Sequence, residues 1–422
     1  MKSFFKQAVC AVLVVTGVGL NAQSRNLDNY RQPDKNGINV FEAPKDTVST
    51  FDGVKVRIGG SSTLQYQAID HSNSGAVALK DIGYNFNLAT ANLDLDVALF
   101  DGIRMHLRTY LSSRHHPEPY VKGGYFQIDK LDFVREGFME DVMKYVTIKV
   151  GHMENNYGDA HFRRTDNAQA MYNPFVGNLI MDAFTTEVGG EVYFQKNGFI
   201  SMLGMTNGKL NQAVNKVDGS TGGASFLAKL GYDKQANDDL RYRITGSVYT
   251  TGYVQNSYLY TADRAGSRYY YVIEDNEATT TRNFRSGRYN PNMRNKVTAF
   301  MINPFVKYKG LEFFGTFEHT SGKANTELTN RTATQYAGEL IYRFGKDENL
   351  YLGGRYNVVN AEEISGDEID ISRFQLGAGW FMTKNILAKL EYVNHQYSDF
   401  PTTSIFNDGE FKGLMVEAVI SF

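Results

Sequence analysis

Two groups of side chains in this chain have the residue types that chemistry requires. The first is His115-His116-Pro117-Glu118, which offers two imidazoles and a carboxylate, ligands that several transition metals accept. Adjacent histidines point in different directions in an extended chain, however, and the neighbouring Arg114 would repel a cation. We therefore favour an ordinary exposed loop here, and we expect neither a metal site nor a cofactor.

The second group is His106 with Asp94 and Asp96, a base beside carboxylates, as in hydrolases that activate a nucleophile. No activated nucleophile accompanies these residues in the sequence. Asp94 and Asp96 have the same parity in one apolar-polar segment, and His106 lies between Arg104 and Arg108 in the next. The pattern therefore predicts charged residues along one face of a sheet and a protein that is not an enzyme.

The elements that carry these residues alternate apolar and polar side chains with period two, as β-strands with two different faces do. The closing segment is typical: Leu414, Val416, Ala418, Ile420 and Phe422 share one face, with a mixed face opposite. Sixteen such segments are predicted, at 53–68, 86–100, 103–112, 123–133, 145–153, 185–195, 199–206, 224–232, 240–253, 297–308, 311–321, 334–344, 350–359, 370–383, 386–396 and 412–422.

The connections between these strands alternate between long and short. Short connections such as Asp101-Gly102 and Lys196-Asn197-Gly198 have the residues that tight hairpins favour. The long ones are 69–85, 113–122, 154–184, 207–223, 254–296, 322–333, 360–369 and 397–411. This alternation predicts an all-β fold, a transmembrane antiparallel up-and-down β-barrel of 16 strands in residues 53–422. A pair of soluble β-sandwiches would leave the alternation unexplained. The turn at 134–144 has helix-like spacing and predicts a short helix.

The N-terminus and the composition agree with export to an outer membrane. Lys2 and Lys6, an apolar run and Leu20-Asn21-Ala22 predict a signal peptide over residues 1–22. Cys10 is the only cysteine, so the mature chain has no thiol and no disulfide. Residues 23–52 lack periodicity and are predicted to form a flexible periplasmic segment. The net charge of −2 argues against a nucleic-acid partner.

Charges cannot face lipid cheaply, since each costs about 2–4 kcal/mol near the midplane of the membrane, so the charged faces must line the lumen. Sixteen strands leave an aqueous channel, and basic residues slightly outnumber acidic ones on the inward parity. The predicted pore-lining residues are Asp94, Asp96, Arg104, Arg108, Lys149, Arg241, Arg243, Arg355 and Arg373. The excess of basic residues predicts a weak preference for anions.

A family resemblance appears where the fifth strand ends, in the run from Lys149 to Gly158 that reads Lys-Val-Gly-His-Met-Glu-Asn-Asn-Tyr-Gly. The strand end Val-Gly-x-Met followed by Tyr-Gly resembles the phosphate-selective porin O and P superfamily, especially its porin-like members in Bacteroidetes. Asn156 stands where that family usually has a proline, and the dense ladder of lysine and arginine residues that phosphate selectivity requires is not found. The resemblance implies the fold, and it suggests a homotrimer.

In general porins the third outer loop folds into the barrel and forms a constriction. By this resemblance, loop 154–184 is the candidate constriction loop, and opposed charges in it would sort solutes by charge. An ordinary external loop with hydrated charges is the alternative. The candidate constriction residues are Glu154, Asp159, Arg163, Arg164 and Asp166.

The outer loop 254–296 is rich in tyrosine and arginine, which suit saccharide stacking or a protein contact. A lid that packs on neighbouring loops is the interpretation that we favour. Its residues of these two types are Tyr258, Tyr260, Tyr269, Tyr270, Tyr271, Tyr289, Arg264, Arg268, Arg282, Arg285, Arg288 and Arg294.

The sequence as a whole predicts a porin in the outer membrane of a Gram-negative bacterium. It would pass small hydrophilic solutes by passive diffusion, with a slight preference for anions such as phosphate, in contact with outer-membrane lipid. The alternative function is a barrel that binds or anchors a partner in a protein or saccharide-uptake complex, with its pore closed by its loops.

Overall fold

The structure of the chain is a computed structural model. It describes residues 27–112, 119–210, 214, 222–252, 254–261, 268–279 and 286–422. The predicted signal peptide and His115-His116-Pro117-Glu118 lie outside the described residues.

The described residues form sixteen antiparallel strands that close into one barrel, in which each strand pairs with its neighbours in sequence and β1 pairs with β16. This confirms the predicted fold class and every predicted strand. The strands are β1 (Lys55–Ser72), β2 (Asn85–Phe100), β3 (Ile103–Ser112), β4 (Tyr120–Ile128), β5 (Val146–Glu154), β6 (Thr186–Lys196), β7 (Phe199–Thr206), β8 (Ser225–Gln235), β9 (Leu240–Thr251), β10 (Lys296–Tyr308), β11 (Leu311–Lys323), β12 (Arg331–Phe344), β13 (Leu350–Glu362), β14 (Glu368–Thr383), β15 (Ile386–Ser398) and β16 (Glu410–Ser421).

The outer surface of the barrel is an apolar belt, because the residues of one parity point outward on every strand. On β16, Leu414, Val416 and Ile420 are exposed, and the intervening Met415 and Glu417 are completely buried. Leucine, valine, phenylalanine and tyrosine residues continue this exposed belt on the other strands. An apolar outer band around a polar interior is the arrangement that lets a barrel sit in lipid.

Short turns join the strands at one rim and longer loops join them at the other, as predicted. The turn between β6 and β7 is an example: Asn197 and Gly198 both have positive φ, +52° and +89°. Two such residues form the tight hairpin whose twist matches that of the strands. We call these two ends of the barrel the short-turn rim and the long-loop rim.

One connection on the short-turn rim differs from the prediction. Strand β4 ends at Ile128, five residues before the predicted position, and residues 129–145 form an extended turn. This turn contains a single helical turn, α1 (Glu140–Met143), within the predicted helical stretch. No helix in the described parts of the chain has the length and apolar character needed to cross a membrane.

Of the segment 23–52, which the sequence predicts to be flexible, the structure describes residues 27–52 and places several of them in contact with the barrel interior. Leu27, Asp34, Phe41 and Glu42 are buried, and a 3₁₀ turn (Lys35–Gly37) begins after Asp34, whose side chain accepts a hydrogen bond from the amide of Asn36. The sequence of this segment has no period-two pattern because the segment lies inside the barrel and is not a strand of the sheet. Its side chains instead pair with charged residues of the inner wall.

Candidate functional site

The charged residues assigned to the lumen do lie on the inner wall. Asp94, Asp96, Arg104, Arg243, Arg355 and Arg373 are each at most 7% exposed, while Arg108, Lys149 and Arg241 are half-buried. Their neighbours along each strand point outward to the apolar belt. Parity therefore places these residues correctly, but their burial shows that little of the wall faces open water.

The connection between β5 and β6, residues 155–185 and here called the lumen loop, fills much of the lumen and forms hydrogen bonds to the inner wall. The amides of Val176 and Ile180 donate to Glu391 on β15 and Asn357 on β13 (2.8 and 2.7 Å). On another side of the barrel, Tyr157 donates to Glu318 on β11 (3.1 Å). Backbone groups of a loop need partners when they leave water, and the polar wall supplies them.

Arg163 and Asp159 anchor this loop to two neighbouring parts of the wall, which β10 separates. Arg163 forms ion pairs with Glu312 on β11 and Glu339 on β12 at 2.9 and 3.0 Å. Asp159 accepts from Arg243 on β9 at 2.8 Å and forms an ion pair with Lys229 on β8 at 3.0 Å. All of these groups are nearly inaccessible to water, so each charge is compensated by its partners.

Arg164 and Asp166 are also used within the filled lumen. Arg164 binds Asp182 of the same loop through two hydrogen bonds of 2.9 and 2.6 Å. Asp166 lies 3.6 Å from Arg164 and 3.4 Å from Lys122 on β4. Burial opposes the ionisation of Asp166, but Lys122 and Arg164 outweigh it and lower the pKa of Asp166 to about 2.

The expected ring of opposed constriction charges is therefore corrected in part. Asp159, Arg163, Arg164 and Asp166 are paired inside the lumen instead of facing each other across a pore. The physical reason is that counter-charges lie within 4 Å, so pairing replaces hydration. Of the five candidates, Glu154 alone lines the cavity beside β2 to β6, where His161, Asn167 and Gln169 bind its carboxylate.

The outer loop enters the long-loop end of the same lumen. Tyr260 donates to Glu318 at 2.6 Å and Tyr269 donates to Glu391 at 2.8 Å. Arg268 is 1% exposed and donates to the carbonyl of Thr165 in the lumen loop. For its described residues, loop 254–296 is thus the predicted lid that packs on neighbouring loops; Arg264, Arg282 and Arg285 lie outside them.

A cavity of about 170 Å³ remains beside β2 to β6, bounded on the other side by the lumen loop and by residues of the N-terminal segment before β1. This cavity contains predicted pore-lining residues from the first five strands only. Its charged and imidazole side chains are Arg31, Asp94, Arg104, His106, Arg108, Lys122, Lys149, Glu154 and His161. Five predicted pore-lining residues do not line this cavity: Asp96, Arg241, Arg243, Arg355 and Arg373. Asp96 is buried beneath Arg57 and Arg104. The four arginines bind carboxylates or carbonyl groups of the N-terminal segment and the lumen loop.

Cations outnumber carboxylates in this cavity. Arg108 is neutralised by Asp94 through two hydrogen bonds of 2.7 and 2.6 Å. Lys149 has no ion-pair partner among the described residues, and its ammonium lies 4.9 Å from the centre of the Tyr193 ring. Arg31 donates to backbone carbonyls and stacks on Tyr172 at 3.7 Å, which also leaves its charge uncompensated by a carboxylate. Burial lowers the pKa of Arg31 to about 10, a value at which it stays charged at neutral pH.

Sequence reasoning missed Arg31 and Lys122 as cavity residues. Arg31 belongs to the segment that was predicted to be flexible. Lys122 precedes the predicted start of β4, and it lies at a β-bulge where the register shifts opposite Arg108 and Thr109. A bulge changes which side chains point inward, and no period-two pattern reveals it.

His106 and Asp96 are the pair that resembled part of a catalytic site. Their side chains are 2.8 Å apart, but Asp96 also binds Arg57, Arg104 and the hydroxyl of Tyr30. The carboxylate is therefore a counter-ion to several donors. Among the described residues, no three His, Cys, Asp or Glu side chains are grouped as a metal would require.

No protein-family model and no curated protein match the chain. Solved structures with the same barrel include the anion-selective porin from Comamonas acidovorans, with a TM-score of 0.54 and 10% identity over 87% of this chain and 100% of that one. OmpF of Salmonella typhi has a TM-score of 0.52 and 11% identity over 88% and 98%. OmpT of Vibrio cholerae, an outer-membrane protein in its trimer form, has a TM-score of 0.52 and 12% identity over 88% and 100%.

The fold is that of the outer-membrane porins. With the apolar outer belt, it confirms the prediction of an outer-membrane location. TM-scores of 0.52 to 0.54 show the shared fold, while sequence identities of 10–12% give no information about the solute. The solute must therefore be argued from the lumen of this chain.

Proposed function

We propose that the chain is a porin that lets small hydrophilic solutes diffuse passively through the outer membrane, with a weak preference for anions. The observation that carries this proposal is the cavity beside β2 to β6, which has five cationic side chains and two carboxylates in its lining. Lys149 and Arg31 contribute positive charge that no carboxylate cancels. Rings and clusters of such charges set selectivity in aqueous pores.

Conductance of the pure folded protein in a planar bilayer tests this proposal. We expect ion current in symmetric salt and, in a salt gradient, a reversal potential of the sign that anion preference requires. An absence of current would refute the channel. Cation preference in the unmodified protein would refute the charge argument and leave the channel intact.

We also propose that the chain is a porin-like relative of the porin O and P superfamily and that it assembles as a homotrimer. The supporting observations are the strand end at Val150-Gly151 with the later Tyr157-Gly158, and the trimer form of one structural neighbour. The permeability of phosphate should be compared with that of chloride. Since the described cavity lacks a continuous series of basic residues, we expect no strong preference for phosphate. The mass of the detergent-solubilised protein tests the trimer.

A barrel that binds a partner, with its pore closed by its own loops, is the second candidate function. The position of Tyr260, Tyr269 and Arg268 inside the long-loop end of the lumen favours it, because the described part of loop 254–296 then lies across the outer mouth. Absence of current from a correctly folded barrel, together with capture of a protein or saccharide by the outer surface, would support this function over the channel.

We propose no enzymatic role. The barrel fold by itself does not decide this point, so the argument rests on Asp96, which is occupied by Arg57 and Arg104 as well as His106. Hydrolytic activity that disappears in His106→Ala would contradict this proposal.

A further inference from the structure

Residues 27–50, here called the N-terminal segment, run across the short-turn rim of the barrel. Near the segment's end, Ser49 donates to Asp101 in the turn between β2 and β3. Lys45 forms an ion pair with Asp129 at the end of β4 (2.9 Å). These contacts place the last part of the segment against the rim at strands β2 to β5.

The earlier part of the segment contacts the same rim at β14 to β16, on the other side of β1 from the first contacts. The amide of Lys35 donates to the carbonyl of Lys384 between β14 and β15 (2.9 Å), and Ser421 on β16 donates to the carbonyl of Pro33 (2.6 Å). Asp34 lies 3.3 Å from the ammonium of Lys384. Contacts at β2 to β5 and at β14 to β16 show that the segment is attached on both sides of its path.

Between these attachments the segment reaches a third part of the wall and the lumen loop. Glu42 forms ion pairs with Arg243 on β9 at 2.8 Å and with Lys229 on β8 at 3.5 Å. Asn39 donates to Glu312 on β11 at 2.8 Å, and Arg163 of the lumen loop donates to Asn39 at 2.6 Å. The segment is thus fixed to strands distributed around the circumference.

Apolar contacts make the central part of the segment a filler of the lumen. Phe41 is 3% exposed and packs against Phe162 of the lumen loop and Phe305 of β10, with ring centres 6.0 and 5.5 Å apart. Phe314 of β11 joins the same cluster. An aromatic cluster inside a polar barrel excludes water from this side and leaves the cavity beside β2 to β6.

We propose that the N-terminal segment sets the size limit of the channel at its periplasmic end. This inference rests on the proposed channel function. Through Lys35, Asn39 and Glu42 the segment occupies part of the mouth near β8 to β13. It also forms one side of the cavity beside β2 to β6 through Tyr30, Arg31 and Phe41. A barrel of sixteen strands encloses an aqueous channel when nothing fills it, so removing the segment widens the path.

Deletion of residues 27–50, with the signal peptide retained, tests the proposal in planar bilayers. We expect single-channel conductance to rise at least about twofold, and larger neutral polymers to enter the pore and reduce its current. Unchanged conductance and an unchanged polymer limit would overturn the inference while the channel function stands. No current from either protein would overturn both.

Glu42→Gln provides a variant in which the segment is kept. Loss of the negative charge removes the ion pairs of Arg243 and Lys229 with the segment and leaves at most weaker hydrogen bonds, so we expect more frequent openings to a larger conductance. Lys346→Gln in an exposed turn of the same rim is the control, and its conductance should equal that of the unmodified protein. Equal behaviour of the two variants would contradict a role for the segment's attachment.

Thiol labelling gives a readout that needs no ion flow, because the mature chain has no cysteine of its own if Cys10 is removed with the signal peptide. Val40 is half-buried in the segment and Val48 is 72% exposed. We expect Val40→Cys to react more slowly than Val48→Cys, and Glu42→Gln to accelerate labelling at position 40 alone. Equal rates at both positions would mean that the segment is not seated in the barrel and would overturn the inference.

Discussion

Replacing Lys149 should reduce the anion preference of the channel more than replacing any paired cation. Lys149 lines the cavity, and its described contacts are the ring faces of Tyr125 and Tyr193, at 5.7 and 4.9 Å. Aromatic rings attract the ammonium without cancelling its charge. If ions pass through the cavity as proposed, its full charge acts on them.

The magnitude follows from Coulomb's law in a medium as polar as water. In water, a unit charge about 8 Å from a passing ion changes the energy of that ion by about 0.5 kcal/mol, with opposite sign for an anion and a cation. The difference between the two ions therefore changes by about 1 kcal/mol, and 1.4 kcal/mol corresponds to a factor of ten. Lys149→Gln should therefore lower the ratio of anion to cation permeability about fivefold. Lys149→Glu changes two units of charge, or about 2 kcal/mol, and should lower the ratio about 25-fold.

The assay is the reversal potential of single channels in a salt gradient at low ionic strength, where screening is weak. Lys346→Gln removes one positive charge from an exposed turn and is the matched control. A shift in Lys346→Gln as large as that in Lys149→Gln would refute the assignment of the path to this cavity. No shift in Lys149→Glu would do the same.

Three further predictions concern the filled lumen. Glu312→Gln leaves the buried guanidinium of Arg343 without a carboxylate and that of Arg163 with Glu339 alone, and it should lower the stability of the barrel by about 3–5 kcal/mol in thermal unfolding. Glu348→Gln, which breaks a half-exposed pair, should cost less than about 1 kcal/mol in the same experiment. The pKa of Asp166 is about 2 in the folded protein, below its usual value near 4. The ionised carboxylate therefore stabilises the folded state by about 2–3 kcal/mol above about pH 4, and this contribution is lost as the pH falls towards 2. Asp166→Asn should flatten this part of the dependence of unfolding temperature on pH. Gly177→Ala would place a Cβ 2.2 Å from a tyrosine hydroxyl of loop 254–296 and should speed proteolysis of that loop, whereas Gly83→Ala meets nothing within 4 Å and should leave the rate unchanged.

The barrel itself was predictable because lipid and water impose a period on the sequence. Each strand must present apolar side chains to the membrane, so residues such as Leu414 and Glu417 reveal their faces by parity alone. Turns such as Asn197-Gly198 mark the strand ends by their backbone conformation. Where that signal weakens, as at the end of β4 near Asp129, the predicted boundary was wrong.

The contents of the lumen could not be predicted in the same way. The sequences of the N-terminal segment and of loop 155–185 have no hydrophobic period. Their side chains contact the inner wall, whose shape exists only once the barrel has closed. Glu42 meets Arg243, which lies 201 residues further along the chain. Pairs so distant leave no local pattern, so the inner charges were correctly placed and wrongly assumed to be hydrated.

This pairing changes which residues should control permeation. Charges on a wide, water-filled wall would all contribute to selectivity, and the excess of basic residues would be the relevant quantity. Here Arg243, Arg355 and Arg373 are bound to the filling segments or to the wall, so their replacement should affect folding before it affects ion flow. In the proposed channel, selectivity should then depend on the few charges left uncompensated beside β2 to β6. A substitution at Arg355 that altered the reversal potential as much as one at Lys149, in a barrel of unchanged stability, would contradict this division.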